Sequence, residues 1–559
     1  MEKKLSNKKL FYLFFFLILS LPTYYLISHV VYNYPIVFGD EGYHMSIARY
    51  IAENKEIPIY LNKLFGTNLS YSSYTYNPFF HYLFAFFYLF GGENLCKFML
   101  IIISLLCSFS IFALVYKFAN PETAIFSSII FSNLQAIILY STTFYTDMLM
   151  NLFFISSFFF FLLGKKENNK KYVLYSAISA CLAVFTKLYA LIYLFFLFIY
   201  SIYLLFKKDK FFISTFFVFF FSFLLIVIWI IRNIILYNHP CIPIGINFVE
   251  NIISSIFKNQ KCSISNYKST YQFSGRTEKI STEQDTISFG ILNFLRFFLW
   301  GNEKLDYIFL FLLFLGIIYS IEILKEESFT FFILSLIIII LIQAIQGNLL
   351  TTGLFNRAED TARMLLIYTP IFSFLVSYPI SRFFYLDFIK NEYYIFFFIF
   401  SFLLLIALIK FSSLDKIEIM KKVKSFSSYF FEACNWVKEN LPKNITLLSL
   451  WGYRVAYNCE RKIGGESDLR LSRNATFIKE LAKELGIEYF FIEKFSIDPL
   501  NRKFSEMYDL DWVKVLNENF EKVYENGMPI NECISNLEIL AKYGIGRSNC
   551  DGVVIYKIY

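Results

Sequence analysis

MLMNLFFISSFFFFLLG, residues 148–164, is followed by KKENNKK at 165–171 and then by YVLYSAISACLAVFTK at 172–187. The first run is apolar over a length close to the ~20 residues that carry a helix across a bilayer core. It ends on Lys165 and Lys166, with Lys170 and Lys171 opening the next run. Lysines clustered beside apolar segments mark the cytoplasmic face of a membrane. The third run returns toward the opposite face and stops at Thr186-Lys187. This hairpin makes the chain a multi-pass membrane protein and gives each neighbouring segment a side.

Working toward the N-terminus, Lys3, Lys4, Lys8 and Lys9 precede a span at about 10–32, so the N-terminus is read as cytoplasmic. The segment at about 33–93 then lies outside. Within it, the apolar run Pro78 to Phe90 is too short to span and is read as an interfacial or re-entrant helix. Spans follow at about 94–116 and 122–141, with Lys117 in the inner turn. On the other side of the hairpin, the run 172–206 is too long for one helix. It is split at Lys187, an outer turn, because Lys207, Lys208 and Lys210 again mark the inside. A span at about 211–231 leads to an outer loop of about 232–304, with an amphipathic stretch at 288–300. Spans at about 305–323, 329–346, 364–381 and 393–411 complete about eleven crossings.

An odd number of crossings puts the hydrophilic C-terminal segment outside. The predicted fold is therefore mainly α: a polytopic helical bundle over 1–411, carrying the catalytic residues, and a small extracytoplasmic α/β domain over 412–559. In that domain Phe477 to Leu485 has helical periodicity and stops at Gly486, and Ile487 to Ile492 reads as a strand. Phe520 to Tyr524 and Gly552 to Tyr556 read as two strands flanking an insertion. Sequons at Asn68, Asn444 and Asn474 fall in segments placed outside, as do Cys241, Cys262, Cys434, Cys459, Cys533 and Cys550. Cys533–Cys550 is expected to bridge the insertion, with Cys241–Cys262 and Cys434–Cys459 paired by their nearness in sequence.

Composition agrees and excludes other classes. Of the 559 residues, 57% are hydrophobic and 17% charged, against about one quarter charged in soluble domains. The net charge of +8 resides largely in lysine clusters beside apolar runs, so it implies no nucleic-acid partner. With 72 Phe and 41 Tyr, an aromatic cluster by itself says nothing about ligands. No Walker loop, GxGxxG, HExxH or paired CxxC occurs, which excludes those nucleotide and zinc sites.

The stretch that carries chemistry is Phe38-Gly39-Asp40-Glu41-Gly42-Tyr43-His44, just beyond the first span. Two adjacent carboxylates there are solvated, used, or capping the helix that starts near Met45. The arrangement resembles the GT-C glycosyltransferases, in particular the branch of protein O-mannosyltransferases and the lipid A aminoarabinose transferase. Asp40, Glu41 and, one position early, Tyr43 match its Asp-Glu-x-x-Tyr-like motif. Pro78, Tyr82, Phe90 and Gly91 match a Pro-x-x-x-Tyr-like helix ending at Phe-Gly. Asp147 matches a second outer acid after the third span, and Thr186-Lys187 a Thr-Lys hairpin. Arg232, Asn233, Asn238 and Pro240 follow, then Arg363, Tyr368 and Pro370, and finally the two terminal strands. The chain departs from the pattern at Asn77-Pro78, where a Pro-Pro pair is usual, and by an insertion of about 25 residues at 528–551. It lacks the Trp-Trp-Asp-Tyr-Gly signature of oligosaccharyltransferases, which argues against en bloc N-glycan transfer.

The resemblance implies an inverting hexosyl- or pentosyltransferase. Its donor would be a sugar on polyprenyl or dolichyl phosphate, and its acceptor a protein, lipid or glycan at the outer face of the cell membrane. Phosphate leaves without protonation, so such an enzyme needs one general base and cations for the departing phosphate. Asp40 is the expected base, Glu41 orients it or the acceptor, and Asp147 holds sugar hydroxyls or assists. Tyr43, Lys187, Arg232 and Arg363 are the expected substrate-binding residues. Each has a plainer alternative. Lys187 snorkels at a turn, Arg232 marks a span end, and Arg363 pairs with Glu359 or Asp360, while His44 and His81 are packing or surface residues. No cofactor is required, although Asp40, Glu41 and Asp147 are hard oxygen ligands suited to a divalent cation. A non-catalytic transporter or lipid flippase is the rival. It would hold its ionisable residues near the bilayer midplane rather than at span ends.

Overall fold

The computed structural model describes residues 2–37, 40–61, 64–65, 70–72, 74, 77–237, 263–265, 311–316, 318, 369–383, 393–410, 414, 417–418, 420–421, 428–450, 452–464, 469, 472–500, 507–542 and 548–559. It is mainly helical. Helix α1 (Glu2–Asn33) is apolar from Leu10 onward and is followed by the shorter α2 (Glu41–Asn54). In the connection after α2, strand β1 (Ser70–Ser72) pairs antiparallel with β2 (Ser263–Ser265).

Helix α3 (Phe79–Phe118) is two helices joined at a kink. Gly91 (φ −151°, ψ 17°) and Gly92 (φ 60°, ψ −153°) both leave helical values there. Gly92 adopts a left-handed φ that costs a residue without Cβ nothing. The expected short helix ending at Phe90 and the span after it are therefore distinct segments. Helices α4 (Pro121–Ser132) and α5 (Gln135–Ser141) are bent by 64° to one another. The run 122–141, expected to be one span, is thus a broken one. Asn133 sits at the break; its Nδ2 donates to the Ile129 carbonyl (2.8 Å) and its Oδ1 accepts from Thr23 Oγ1 (3.2 Å). A side chain that supplies these bonds lets a helix bend inside an apolar environment.

The bundle continues with α6 (Thr146–Glu167), α7 (Lys170–Thr186), α8 (Leu191–Phe206), α9 (Phe212–Tyr237), α10 (Thr369–Phe383) and α11 (Tyr393–Leu408). Asn168 takes a left-handed φ of 46° after α6, and the Asn169 side chain caps α7 by accepting from Lys171 N (2.9 Å). The run 172–206 divides at Lys187, as its length required, through a 3-10 turn at Leu188–Ala190. Helices α4 and α10 meet through small polar side chains, Thr123 against Ser381 (2.6 Å) and Ser127 against Ser377 (2.5 Å). Such residues let helix backbones approach closely. Among the described residues, four helices are long and apolar enough to cross a membrane, or five if the bent pair counts as one span. The expected span at 329–346 lies outside the described residues, and of that at 305–323 residues 311–316 and 318 are described.

The bundle has two chemically distinct ends. At one, Lys117 pairs with Glu167 (3.0 Å) and Tyr12 Oη donates to Glu122 (2.9 Å). The start of α1, the ends of α3 and α6 and the start of α4 share this end. Asp147 and Lys187 lie at the other ends of α6 and α7.

Residues from Ser428 onward form an α/β unit. Helix α12 (Ser428–Asn440) leads to β3 (Thr446–Leu448), α13 (Gly452–Cys459) and β4 (Lys462–Gly464). Helix α14 (Ala475–Leu485) is capped at its start by Asn474 Oδ1, which accepts from Thr476 N and Phe477 N, and closed by Gly486 at φ 71°. Then come β5 (Tyr489–Glu493), the short parallel pair β6 (Ile497–Asp498) and β7 (Tyr508–Asp509), α15 (Leu510–Asn519), β8 (Glu521–Glu525), α16 (Ile530–Lys542) and β9 (Val553–Lys557). The five-stranded sheet runs β4-β3-β5-β9-β8, with β4, β3 and β5 parallel and the β5/β9 and β9/β8 pairs antiparallel.

Side-chain alternation gives this sheet two buried faces. Leu447, Phe491, Val553 and Ile555 join the core shared with the bundle. Leu448, Phe490, Ile492, Val554 and Tyr556 face a second core around Trp512 and α14–α16. Disulfides join Cys434 to Cys459 (S–S 2.01 Å) and Cys533 to Cys550 (2.10 Å), two of the three expected pairs. Cys241 and Cys262 lie outside the described residues.

Candidate active site

The site forms where α2 and the 143–147 turn meet α13. Asp40 occupies the N-cap position of α2 (φ −81°, ψ 2°) but makes no side-chain cap bond to it. Its backbone N–H donates to Tyr145 Oη (3.2 Å). The next residue, Glu41, is fully buried, and its Oε1 accepts from Phe144 N (3.1 Å). One carboxylate at the helix start thus fixes the 143–147 turn, while the other stands beside it, partly exposed.

That turn delivers Asp147 into the first turn of α6, where the helix N-terminus favours negative charge. Asp147 is fully buried and its Oδ1 lies 2.6 Å from Lys187 Nζ. Lys187 follows the last residue of α7 in extended conformation (φ −155°, ψ 132°), which is how a break in an apolar run becomes a placed ammonium. Asn77, one residue before Pro78, donates to the Val184 carbonyl and ties the preceding loop to the same helix end.

Tyr43 is buried in a trio of rings. It stacks on Phe65 (centroids 5.3 Å apart) and meets Tyr453 edge-on (5.0 Å), and Phe65 meets Tyr453 edge-on as well (5.1 Å). Tyr453 comes from α13. A Cβ on Gly42 would collide with the Tyr453 carbonyl, so glycine at that position is what allows α2 and α13 to pack here. The Tyr453 side chain stays 41% exposed. The protein around its phenol pushes the pKa up, and the negative charge of Asp40 adds to this. Helix α13 is held in place by Arg49, which donates to the Tyr457 carbonyl (3.1 Å), by Tyr457 Oη bonded to Glu93 (2.7 Å), and by the buried Arg454–Glu493 ion pair.

Arg232 belongs to a different part of this end. Its Nη1 donates to the Tyr74 carbonyl (3.1 Å), Asn233 Oδ1 (2.8 Å) and Tyr237 Oη (3.2 Å), and its guanidinium lies over the Trp229 ring at 4.5 Å. The Tyr74 hydroxyl bonds His81 Nδ1 (2.7 Å), and His81 Nε2 bonds His44 Nδ1 (2.9 Å). Arg232 is therefore linked to α2 through a buried chain rather than gathered with Lys187. Arg363 lies outside the described residues.

Asp40, Glu41, Tyr43, Asp147 and Lys187 come together at one end of the bundle. Tyr145 and Tyr453 are neighbours that sequence patterns did not single out, and His44 and His81, expected to be packing or surface residues, are bonded to one another. Aromatic abundance concealed the tyrosines, and no local motif joins histidines 37 residues apart. Among the described residues, no three His, Cys, Asp or Glu side chains form a group able to hold a metal ion. Glu41 accepts from the Phe144 N–H, and Asp147 pairs with the Lys187 ammonium.

Residues 76–235 match the family model described as dolichyl-phosphate-mannose-protein mannosyltransferase. No curated protein matches the chain by sequence. Among solved structures, the chain is similar to the oligosaccharyltransferase AglB of Archaeoglobus fulgidus. The identity is 12%, over 97% of this chain and 88% of that one, with a TM-score of 0.61. It is also similar to ArnT of Cupriavidus metallidurans, at 10% identity over 99% and 98% of the two chains, with a TM-score of 0.55. The family model thus matches one segment of the chain, residues 76–235, and the likeness to these two structures is one of fold.

Proposed function

We propose that the chain is an inverting glycosyltransferase. It moves a sugar from a polyprenyl- or dolichyl-phosphate donor to a protein, lipid or glycan acceptor at the outer face of the membrane. The observation that carries this reading is the juxtaposition of a partly exposed carboxylate, Asp40, with the Asp147–Lys187 pair through the 143–147 turn. Asp40 takes the proton of the acceptor hydroxyl as that oxygen attacks the anomeric carbon. The sugar–phosphate bond breaks on the opposite side, and the lipid phosphate leaves with the electron pair. Lys187, held by Asp147, offsets the charge that grows on the phosphate. Glu41 holds the turn that carries this pair. Tyr43, Phe65 and Tyr453 wall the acceptor side.

Two structures of similar fold agree with a lipid-phosphate donor. AglB has been solved with a dolichol-phosphate and an inhibitory peptide, and ArnT with undecaprenyl phosphate. A transporter or flippase is less well supported. Asp40, Asp147 and Lys187 stand at the cap, first turn and end of their helices rather than mid-helix, where transport sites usually lie.

The test is transfer from a lipid-phosphate sugar by the purified chain in vesicles. The acceptor is to be found by mass spectrometry of surface proteins and lipids from cells lacking it. Asp40→Asn should lower turnover by roughly 10²–10⁴-fold while expression and donor binding persist, since Asp40 makes no cap bond that Asn would lose. Near-normal turnover of this variant would make Asp40 structural and remove the mechanism.

A further inference from the structure

The proposed mechanism leaves a buried polar chain unused. Tyr74, His81 and His44 are almost completely buried, and they are joined by Tyr74 Oη···His81 Nδ1 (2.7 Å) and His81 Nε2···His44 Nδ1 (2.9 Å). Chemistry gives this chain a direction. A neutral imidazole has one N–H and one acceptor nitrogen, and a phenol has one hydrogen to donate. The Tyr74 hydroxyl has His81 as its partner. If it accepted from His81, its own hydrogen would be stranded in a dry interior, which is costly. Tyr74 therefore donates to His81 Nδ1. That makes His81 the Nε2–H tautomer, which donates to His44 Nδ1. His44 is then also the Nε2–H tautomer.

The two ends of the chain sit on different supports. At the Tyr74 end, the backbone carbonyl accepts from Arg232 (3.1 Å) and Tyr237 (3.3 Å), and the backbone N–H donates to Ile59 O (3.0 Å). At the other end, His44 closes the first turn of α2, its N–H donating to the Asp40 carbonyl (3.1 Å). His44 also packs edge-on against Tyr145 (6.4 Å), the residue whose hydroxyl accepts from Asp40 N. We propose that Tyr74, His81 and His44 are positioning residues for the glycosyl transfer. Their one-way hydrogen-bond chain locks His44 as an Nε2–H donor and fixes the first turn of α2, and with it the Asp40 carboxylate. This rests on the glycosyltransferase reading for its effect on turnover, but not for the tautomers.

The experiment uses the full chain in detergent with ¹⁵N-labelled histidine. The chain has only 4 histidines, so ring-nitrogen signals can be assigned by substitution. His44 and His81 should both show a protonated Nε2 and an unprotonated Nδ1. Tyr74→Phe keeps the ring but removes the donor, so the ring signals of His81 and His44 should shift. Turnover should fall by up to about 10²-fold, the scale of a small misplacement of a reacting group, at unchanged KM for the lipid-phosphate sugar. His81→Gln, which retains one donor and one acceptor, should keep more activity than His81→Leu. A protonated Nδ1 on His81 in the wild-type chain overturns the proposal, as does Tyr74→Phe with wild-type ring signals and turnover. If no transfer is found for the wild-type chain, the glycosyltransferase reading fails, and the tautomer measurement still decides whether the chain is ordered as described.

Discussion

Lys187 Nζ lies 2.6 Å from Asp147 Oδ1, joining the end of α7 to the first turn of α6. The carboxylate is fully buried and the lysine side chain 14% exposed, so this pair is shielded from water in a way a surface ion pair is not. Lys187→Met should destabilise the protein by about 3–5 kcal/mol, the usual cost of stranding one member of a buried pair. Lys187→Met combined with Asp147→Leu should recover most of that loss in thermal unfolding, yet leave transfer defective. A double variant with full turnover would reduce the pair to packing.

Gly42 gives a second handle. Because a Cβ there meets the Tyr453 backbone, Gly42→Ala should push α13 away from α2 and destabilise by about 1–3 kcal/mol, as overpacking does. Tyr453→Leu keeps the backbone fit but removes the exposed ring. It should raise KM for the acceptor more than it changes thermal stability. An unchanged unfolding midpoint for Gly42→Ala would contradict the packing.

Sidedness can be read by labelling. Asn168 lies in the turn between α6 and α7, at the lysine-bearing end of the bundle, and Glu439 lies on the exposed end of α12. Single cysteines at these two positions should react with a membrane-impermeant maleimide from opposite faces, Glu439→Cys from outside. Labelling of both from one face would overturn the predicted topology.

The Cys533–Cys550 bridge spans 17 positions and ties the first turn of α16 to the residues just before β9. Replacing both cysteines by serine should cost about 3 kcal/mol. The expected readout is a lower unfolding midpoint and faster proteolysis near α16. Wild-type values for the double variant would show that the bridge is not formed in the protein.

What the sequence disclosed, and what it concealed, follows from how local each signal is. The break after Phe90 was readable because the apolar run Pro78 to Phe90 is too short to cross a bilayer. Lys187 was readable because one lysine interrupts a run too long for a single helix. The bend at Asn133 was not, since one asparagine in an apolar stretch says nothing until Thr23 is found opposite it. Asp40 and Glu41 were legible as a pair, but their division of labour was not. It depends on Phe144 N and Tyr145 Oη, more than 100 positions away. Tyr453 was hidden among 41 tyrosines. Arg363 and the predicted span at 329–346 lie outside the described residues.

The contact between Phe65 and β4 has a consequence for handling the C-terminal unit alone. Strand β4 is the outermost strand on one side of the five-stranded sheet, and its free flank is occupied by the connection after α2. Phe65 bridges to Ile463 in parallel register, and Ile463 N donates to the Leu64 carbonyl (3.4 Å). At the opposite margin, β8 carries Glu521 and Lys522, charges that discourage strand addition. β4 has one charge, Lys462 at its start, and then the uncharged Ile463 and Gly464. A fragment cut at Ser428 would lose the loop that shields this flank. Its open backbone would then be a template for a second copy, so the membrane segment acts toward the sheet as a built-in protector against self-association.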